Sequence, residues 1–145
     1  MQIKKPIVLS LFAALSGLSH AAWLTVAGEA DNPASDYFQV NPNSVRPQHH
    51  LRFVGVRVNR SSPQVEKGVT YRSFDATAVI DCRRRTAHYA AARYFERANF
   101  EGTPEKVRRY TGAKPTVEPW PTADGRQERL IKAMCAVDEV AKAIG

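Results

Sequence analysis

A long alternation of side chains between residues 69 and 82 limits the fold of this 145-residue chain more than any other feature. Successive side chains of a β-strand point to opposite faces of a sheet, so a period of two indicates one buried and one wet face. The predicted buried face carries Phe74, Ala76, Ala78, Ile80 and Cys82. The other face carries Tyr71, Ser73, Asp75, Thr77, Val79 and Asp81. Such a strand needs neighbours to complete a stable sheet.

Several shorter stretches have the composition of strands and are separated by turn-forming residues. The clearest is 51–59, in which Val54, Val56 and Val58 alternate with other residues. Further strands are predicted at 23–27, 37–40, 87–97, 107–110 and 116–120, and loops at 41–43 and 61–68. The alanines of 87–97 would also suit a helix, but the alternation favours a strand with Tyr89, Ala91, Arg93 and Phe95 on one face. The short connections between these stretches favour antiparallel pairing.

The first 22 residues have the three parts of a secretory signal peptide. Lys4 and Lys5 are a positive start, residues 7–18 an apolar run, and residues 19–22 a small-residue cleavage site. The apolar run is too short to span a membrane, which takes about 20 residues. We therefore expect a cleaved signal peptide over 1–22 and a single domain over 23–145. Because no cysteine adjoins the cleavage site, we expect a periplasmic, secreted or cell-surface protein without a lipid anchor.

Cys82 and Cys135 are the only two cysteines in the chain. Export brings them into an oxidising compartment, where disulfides form and persist. Redox-active pairs usually have the Cys-x-x-Cys spacing, and these two cysteines are far apart in sequence. The sequence therefore predicts a structural disulfide between them.

The apolar period changes to that of a helix after Thr122. One stripe is formed by residues spaced at i, i+4, i+7, i+11 and i+14, namely Leu130, Met134, Val137, Ala141 and Ile144. Cys135 lies on the flank of this stripe, so the disulfide would tie the helix to the strand that ends at Cys82. The predicted fold class is α+β, an antiparallel β-sheet with a C-terminal amphipathic helix packed on one face and tied by the disulfide.

Several short motifs follow one another in a fixed order along the chain. They are Trp23, Tyr37-Phe38-Gln39-Val40-Asn41-Pro42-Asn43-Ser44-Val45, Tyr71-Arg72-Ser73, Ile80-Asp81-Cys82, Phe100-Glu101-Gly102, Pro119-Trp120-Pro121 and Cys135. This set resembles the surface-adhesin protein E-like family of small exported bacterial proteins. The resemblance implies an antiparallel sheet with a disulfide-tied C-terminal helix. It also implies an adhesin-type role, the binding of host extracellular-matrix and serum glycoproteins.

Basic charge is concentrated in one segment, residues 83–109. Its excess of basic over acidic residues accounts for the whole positive charge that remains after Lys4 and Lys5 are removed. The arginine fork matches carboxylate, sulfate and phosphate groups. The predicted ligand-binding residues are Arg83, Arg84, Arg85, Arg93, Arg97, Lys106, Arg108 and Arg109. The alternative is a solvated basic face that keeps the protein soluble.

Catalytic signatures are missing from the sequence. It contains no Gly-x-Ser-x-Gly, His-Glu-x-x-His or P-loop motif. His49 and His50 are adjacent, and neighbours on a strand point to opposite faces, so they are poorly placed to share a metal ion. We predict a non-enzymatic protein with no catalytic residues, metal or cofactor. A small hydrolase is the weakest hypothesis because no nucleophile and base can be named.

The predicted function is therefore binding. The expected partners are host extracellular-matrix or serum glycoproteins, or heparin-like polyanions, and no specific nucleic acid. The alternative is a periplasmic structural or stress-response protein without an extracellular ligand. The sequence predicts no transmembrane segment in the mature chain, and it does not fix the oligomeric state.

Overall fold

Six antiparallel strands form one sheet, and each strand pairs with the next one along the chain. The structure is a computed structural model that describes residues 23–66, 68–104, 106–109 and 128–136, with the side chains of 106–108 left out. The strands are β1 (Leu24–Ala27), β2 (Tyr37–Gln48), β3 (Leu51–Glu66), β4 (Val69–Asp81), β5 (Thr86–Phe95) and β6 (Lys106–Arg109). The antiparallel sheet predicted from sequence is thus confirmed. The signal peptide, the strand predicted at 116–120 and the helix start at Thr122 lie outside the described residues.

The loop predicted at 41–43 is part of strand β2, so that prediction is wrong. The register between β2 and β3 shifts between Asn41 and Arg46, which makes the segment a bulge rather than a turn. Pro42 has no backbone N–H to give to a ladder, and prolines within sheets occur mainly at edges and bulges. The hydroxyl oxygen of Ser44 instead accepts a hydrogen bond from the backbone N–H of Gly55, at 2.7 Å. A side chain thus bridges the two strands where the ladder is interrupted.

The loop predicted at 61–68 is also mostly strand, because β3 continues to Glu66. Its register with β4 shifts between Asn59 and Gln64, which places an irregular segment rather than an open loop there. The backbone N–H of Ser61 donates to the carboxylate of Asp36 at 2.6 Å. Because a side chain outside the ladder accepts this N–H group, the turn-forming residues near Ser61 can lie within the strand.

A bulge in β5 reverses the predicted face of Tyr89. Thr77 pairs with Ala91, but the next residue of β4, Ala78, pairs with Tyr89, so one residue of β5 is left over. An extra residue shifts the alternation by one position and turns the following side chains to the opposite face. Tyr89 is therefore buried with Ala92 in the core, and not on the face of Arg93 as the alternation predicted.

The core lies on one face of the sheet and is centred on Phe74, which is fully buried. Its ring contacts the rings of Tyr71, Tyr89 and Tyr94, with centroid separations of 5.5 to 5.8 Å. Tyr71 was predicted on the wet face and is instead part of this cluster. It lies next to the irregular part of β3, where the regular alternation no longer fixes which way a side chain points.

The described part of the C-terminal helix, α1, covers residues 128–136. Leu130, Ile131 and Met134 are buried and belong to the same hydrophobic cluster as the sheet residues. Cys135 forms a disulfide with Cys82, as the sequence predicted. Val137, Ala141 and Ile144 lie outside the described residues. In the part of the chain that the structure describes, no helix is long and apolar enough to cross a membrane.

The opposite face of the sheet, here called the outer face, carries Arg57, Asp75 and Arg93. These residues pair in register across β3, β4 and β5. At one end of this face, the short 3-10 turn Ala98–Phe100 packs over the strands. The ring of Phe100 meets the ring of Tyr37 edge-on, with a centroid separation of 6.1 Å. The outer face thus carries charged side chains where the core face carries apolar ones.

Candidate binding surface

Three of the predicted ligand-binding residues lie together in the turn between β4 and β5. Arg83, Arg84 and Arg85 are all exposed, and we call them the arginine turn. The carboxylate of Asp81 accepts hydrogen bonds from the backbone N–H groups of Arg83 and Arg84, at 2.9 and 3.0 Å. Arg85 has a left-handed backbone, with φ of 54°. The backbone of the turn is therefore fixed, and its three side chains are exposed to solvent.

Asp81 is held in its charged form. The hydrogen bond from the backbone of Arg84 is the largest cause that lowers the pKa of Asp81, and the one from Arg83 adds to it. The charge of Arg84 acts in the same direction on the pKa of Asp81. The backbone N–H of Cys82 also donates to the carbonyl of His50, at 2.8 Å. The turn is thus tied to the start of β3 as well as to its own strand.

An apolar groove of about 490 Å³ lies beside the arginine turn on the outer face. Leu51, Phe53 and Val79 provide apolar lining, and His88 and Arg84 add polar groups. The guanidinium of Arg46 lies over the ring of Phe53, with its central carbon 5.9 Å from the ring centroid. The sheet end therefore combines exposed positive charge with an accessible apolar surface.

Two other predicted residues are neutralised by carboxylates. Arg93 forms a two-point ion pair with Asp75, its cross-strand neighbour on β4. Arg97 forms an ion pair with Glu101, at 3.0 Å. Within the described residues, none of the three arginine-turn side chains has an ion pair of this kind. The charge that remains available is therefore concentrated at the turn.

The remaining predicted residues, Lys106, Arg108 and Arg109, lie on the edge strand β6. Arg109 is exposed and pairs with Ala91, in the middle of β5. The strand β5 rises about 3.4 Å per residue, so the arginine turn and Arg97 lie about 30 Å apart at its two ends. The structure does not gather the eight residues into one patch. Their binding role stays a prediction.

The comparison with known families decides which family this chain represents. The surface-adhesin protein E family model matches residues 23–136, which is most of the chain. The chain belongs to the surface-adhesin protein E family. The match confirms the resemblance inferred from the ordered motifs. A separate search of curated proteins found no match to the chain. Membership indicates an exported or surface-located binding protein.

A second cationic site in this member of the surface-adhesin protein E family was not predicted from the sequence. Arg57 lies on the outer face between the rings of Trp23 and Phe100. The alternation in 51–59 places Arg57 on a wet face, but it does not reveal partners that are remote in sequence. No sequence spacing links these three positions. Trp23, which precedes β1, and Phe100, in the 3-10 turn, come close to Arg57 only in the folded protein.

Metal-ligating side chains are dispersed in the described parts of this adhesin-family chain. Among residues 23–66, 68–104, 106–109 and 128–136, no three side chains of His, Cys, Asp or Glu gather in a way that could hold a metal ion. His50 lies near a carboxylate, with its Nε2 atom 3.9 Å from an oxygen of Asp81. His50 and Asp81 are among the residues that hold the arginine turn in place.

Proposed function

We propose that this protein is a non-enzymatic adhesin that binds an anionic partner through the arginine turn. The observation that carries the proposal is the exposure of Arg83, Arg84 and Arg85 on a turn whose backbone is fixed by Asp81. The partner is a heparin-like polyanion or an acidic segment of a host extracellular-matrix or serum glycoprotein. Membership of the surface-adhesin protein E family supports a binding role of this kind.

Charge and shape at the sheet end favour such a partner. The arginine-turn side chains have no ion pair among the described residues, whereas Arg93 and Arg97 are paired with carboxylates within the chain. Planar guanidinium groups make two-point hydrogen bonds to sulfate and carboxylate groups. The apolar groove lined by Leu51 and Phe53 offers additional contact area to a glycoprotein partner.

The wider predicted segment fits this proposal as a secondary contact. Arg109 is exposed on β6 and pairs with Ala91, so a partner that extends from the turn along β5 would reach it. The backbone positions of Lys106 and Arg108 are on the same strand. We assign the main attraction to the arginine turn, and a weaker, longer-range contribution to β6.

Residues 1–22 are proposed to be a signal peptide that is removed on export, which leaves Trp23 near the new N-terminus. The proposal agrees with the family match, which begins at residue 23. N-terminal sequencing of the exported protein should start at Ala22 or Trp23, and a retained Met1 would contradict the proposal.

Labelling of intact cells by an antibody would support surface display, whereas protein confined to the periplasm would favour the structural alternative.

The helix α1 is proposed to lie against the core face of the sheet. The burial of Leu130, Ile131 and Met134 in the cluster that includes Val54 and Phe74 supports this arrangement. The disulfide at Cys135 supports it as well. In this arrangement the helix closes one face of the sheet and leaves the outer face and the arginine turn free for a partner.

The binding proposal is tested by two variants that remove equal charge. Arg83→Ala with Arg85→Ala removes two exposed arginines from the turn, while Arg129→Ala with Lys132→Ala removes two exposed cations from α1. Each basic residue near an anionic surface contributes about 1 kcal/mol, so the turn variant should bind immobilised heparin about thirtyfold more weakly at constant salt. The helix variant should stay within about threefold of the parent. Equal losses in both variants would contradict a role for the turn.

A further inference from the structure

A single arginine on the outer face is held between two aromatic rings. The central guanidinium carbon of Arg57 lies 4.3 Å from the ring centroid of Trp23 and 4.7 Å from that of Phe100. Cation–π contacts at these distances restrict the plane of the guanidinium group. Trp23 precedes β1 and Phe100 belongs to the 3-10 turn, so two distant parts of the chain fix one side chain of β3.

Hydrogen bonds fix the same group in its own plane. The Nε–H of Arg57 donates to the side-chain oxygen of Gln39, at 2.6 Å. The amide nitrogen of Gln39 donates in turn to the hydroxyl of Thr25, at 3.0 Å, and Gln39 is buried. This relay occupies the Nε edge of the guanidinium. Within the described residues, the two terminal nitrogens of Arg57 have no hydrogen-bond acceptor.

The charge of Arg57 is only partly compensated by the protein. Burial is the main cause that lowers the pKa of Arg57, while electrostatic interactions with Tyr37, then Asp31 and Asp75, oppose that shift. Asp75 is already in a two-point ion pair with Arg93. Arg57 is thus a partly buried cation that has no ion pair with a carboxylate among the described residues.

A cleft of about 390 Å³ shares the Trp23 ring with Arg57, which pairs in register with the cleft residue Asp75 but does not itself line the cleft. The cleft lining includes Trp23, Thr77 and the Asp75–Arg93 ion pair, together with the small residues Gly55 and Ala91. Trp23 is partly exposed, so its indole is available on the cleft side. The Thr77 hydroxyl and the Asp75 carboxylate provide hydrogen-bonding groups. The cleft therefore combines an aromatic platform with polar groups beside a fixed cation.

We propose that Arg57 and this cleft bind the carboxylate group of an acidic saccharide. One fixed guanidinium fork matches one carboxylate, which is the geometry of a two-point charge-assisted hydrogen bond. The indole can stack on a sugar ring, and Asp75 and Thr77 can bond to sugar hydroxyls. A densely sulfated polymer or an acidic peptide fits less well, because Arg57 offers a single fork and the other cation at the cleft, Arg93, is already paired with Asp75.

The site is distinct from the arginine turn. Asp75 and Asp81 lie on the same strand, six positions apart, which corresponds to about 20 Å. The proposal does not rest on the polyanion function assigned above. Loss of binding at one of the two places leaves the other unchanged, so failure of either proposal can be recognised separately.

Sialyllactose is the probe, with lactose as its neutral counterpart, and binding to the full domain is measured by NMR titration. The indole N–H signal of Trp23 should shift with sialyllactose and stay unchanged with lactose. Arg57→Lys keeps the charge but removes the fork, and should weaken binding about tenfold. Arg129→Lys is the same substitution at an exposed position of α1, and should leave sialyllactose affinity unchanged.

Each alternative outcome overturns the proposal. Equal affinity for lactose would exclude the carboxylate as the recognised group, and unchanged affinity in Arg57→Lys would exclude the fork. Tighter binding of a glutamate-rich peptide at Trp23 would replace the saccharide with a protein partner. A Trp23 signal that does not respond in the parent protein would exclude the site. Because that last measurement needs no substitution, it holds even if Arg57→Lys fails to fold.

Discussion

Replacement of both Cys82 and Cys135 by alanine is expected to lower the free energy of unfolding by about 4 kcal/mol. The disulfide closes a loop across a sequence separation of 53 residues, and cross-linking a loop of that length restricts the unfolded chain strongly. In the folded protein it is also the covalent link between α1 and the end of β4. Urea unfolding of the parent and the double variant, followed by circular dichroism, measures the difference.

Reduction of the parent protein provides the control for the two substitutions. A reductant should destabilise the parent by a similar amount and leave the double-alanine variant unchanged. The buried residues Leu130, Ile131 and Met134 should then become accessible to proteases more readily, because only non-covalent contacts would retain the helix. A loss smaller than about 1 kcal/mol would contradict the stabilising role of the cross-link.

Substitution of Asn59 by leucine is expected to lower the free energy of unfolding by about 2 to 4 kcal/mol. Asn59 is fully buried, and its side chain accepts a hydrogen bond from the backbone N–H of Asn99 at 2.9 Å. It also donates to the backbone carbonyl of Ser35 at 2.8 Å. Leucine cannot form either bond, and each buried polar group left without a partner costs about 1 to 3 kcal/mol.

The matched control is the same substitution at Asn43, which is exposed on β2. Asn43→Leu should change the free energy of unfolding by less than about 0.5 kcal/mol in the same urea experiment. The Asn59 variant should also loosen the 3-10 turn Ala98–Phe100, seen as faster amide exchange at Asn99. Equal stability of the two variants would show that the buried hydrogen bonds of Asn59 contribute little.

The regular parts of the fold could be predicted from the sequence. The strands follow from local periodicity, and the disulfide follows from the presence of two cysteines, whichever way the strands pair. The alternation in β3 and β4 identified the strands that carry Val54 and Phe74. The two cysteines had only each other as partners, so their pairing followed from export. The ordered motifs led to the family that the comparison confirmed.

The irregular parts could not be predicted, since they depend on contacts between distant residues. A proline in a strand is normally a sign of a turn, and only the hydroxyl of Ser44 opposite Gly55 explains why β2 continues past Pro42. The single extra residue of β5 turned Tyr89 into the core, and alternation alone cannot show where an extra residue lies.

The candidate binding surface was predicted in composition but not in arrangement. The basic segment was recognised from charge, yet cross-strand pairing decides that Arg93 is neutralised by Asp75 while the arginine turn is not. The position of Arg57 between Trp23 and Phe100 could not be predicted from the sequence, because the two rings approach it only in the folded sheet. The number of charged residues can thus be counted in the sequence, but the fold decides which of them form ion pairs.

The most direct test of the arginine turn as the binding site is a map of backbone amide shifts during titration with a heparin oligosaccharide. We expect the largest shifts at residues 82–86, smaller ones on β6, and none on α1. The shifts should decrease steeply with added salt, because counterions compete for exposed charge. Shifts centred on α1 or on β1, with residues 82–86 unaffected, would contradict the proposal that the arginine turn binds the anionic partner.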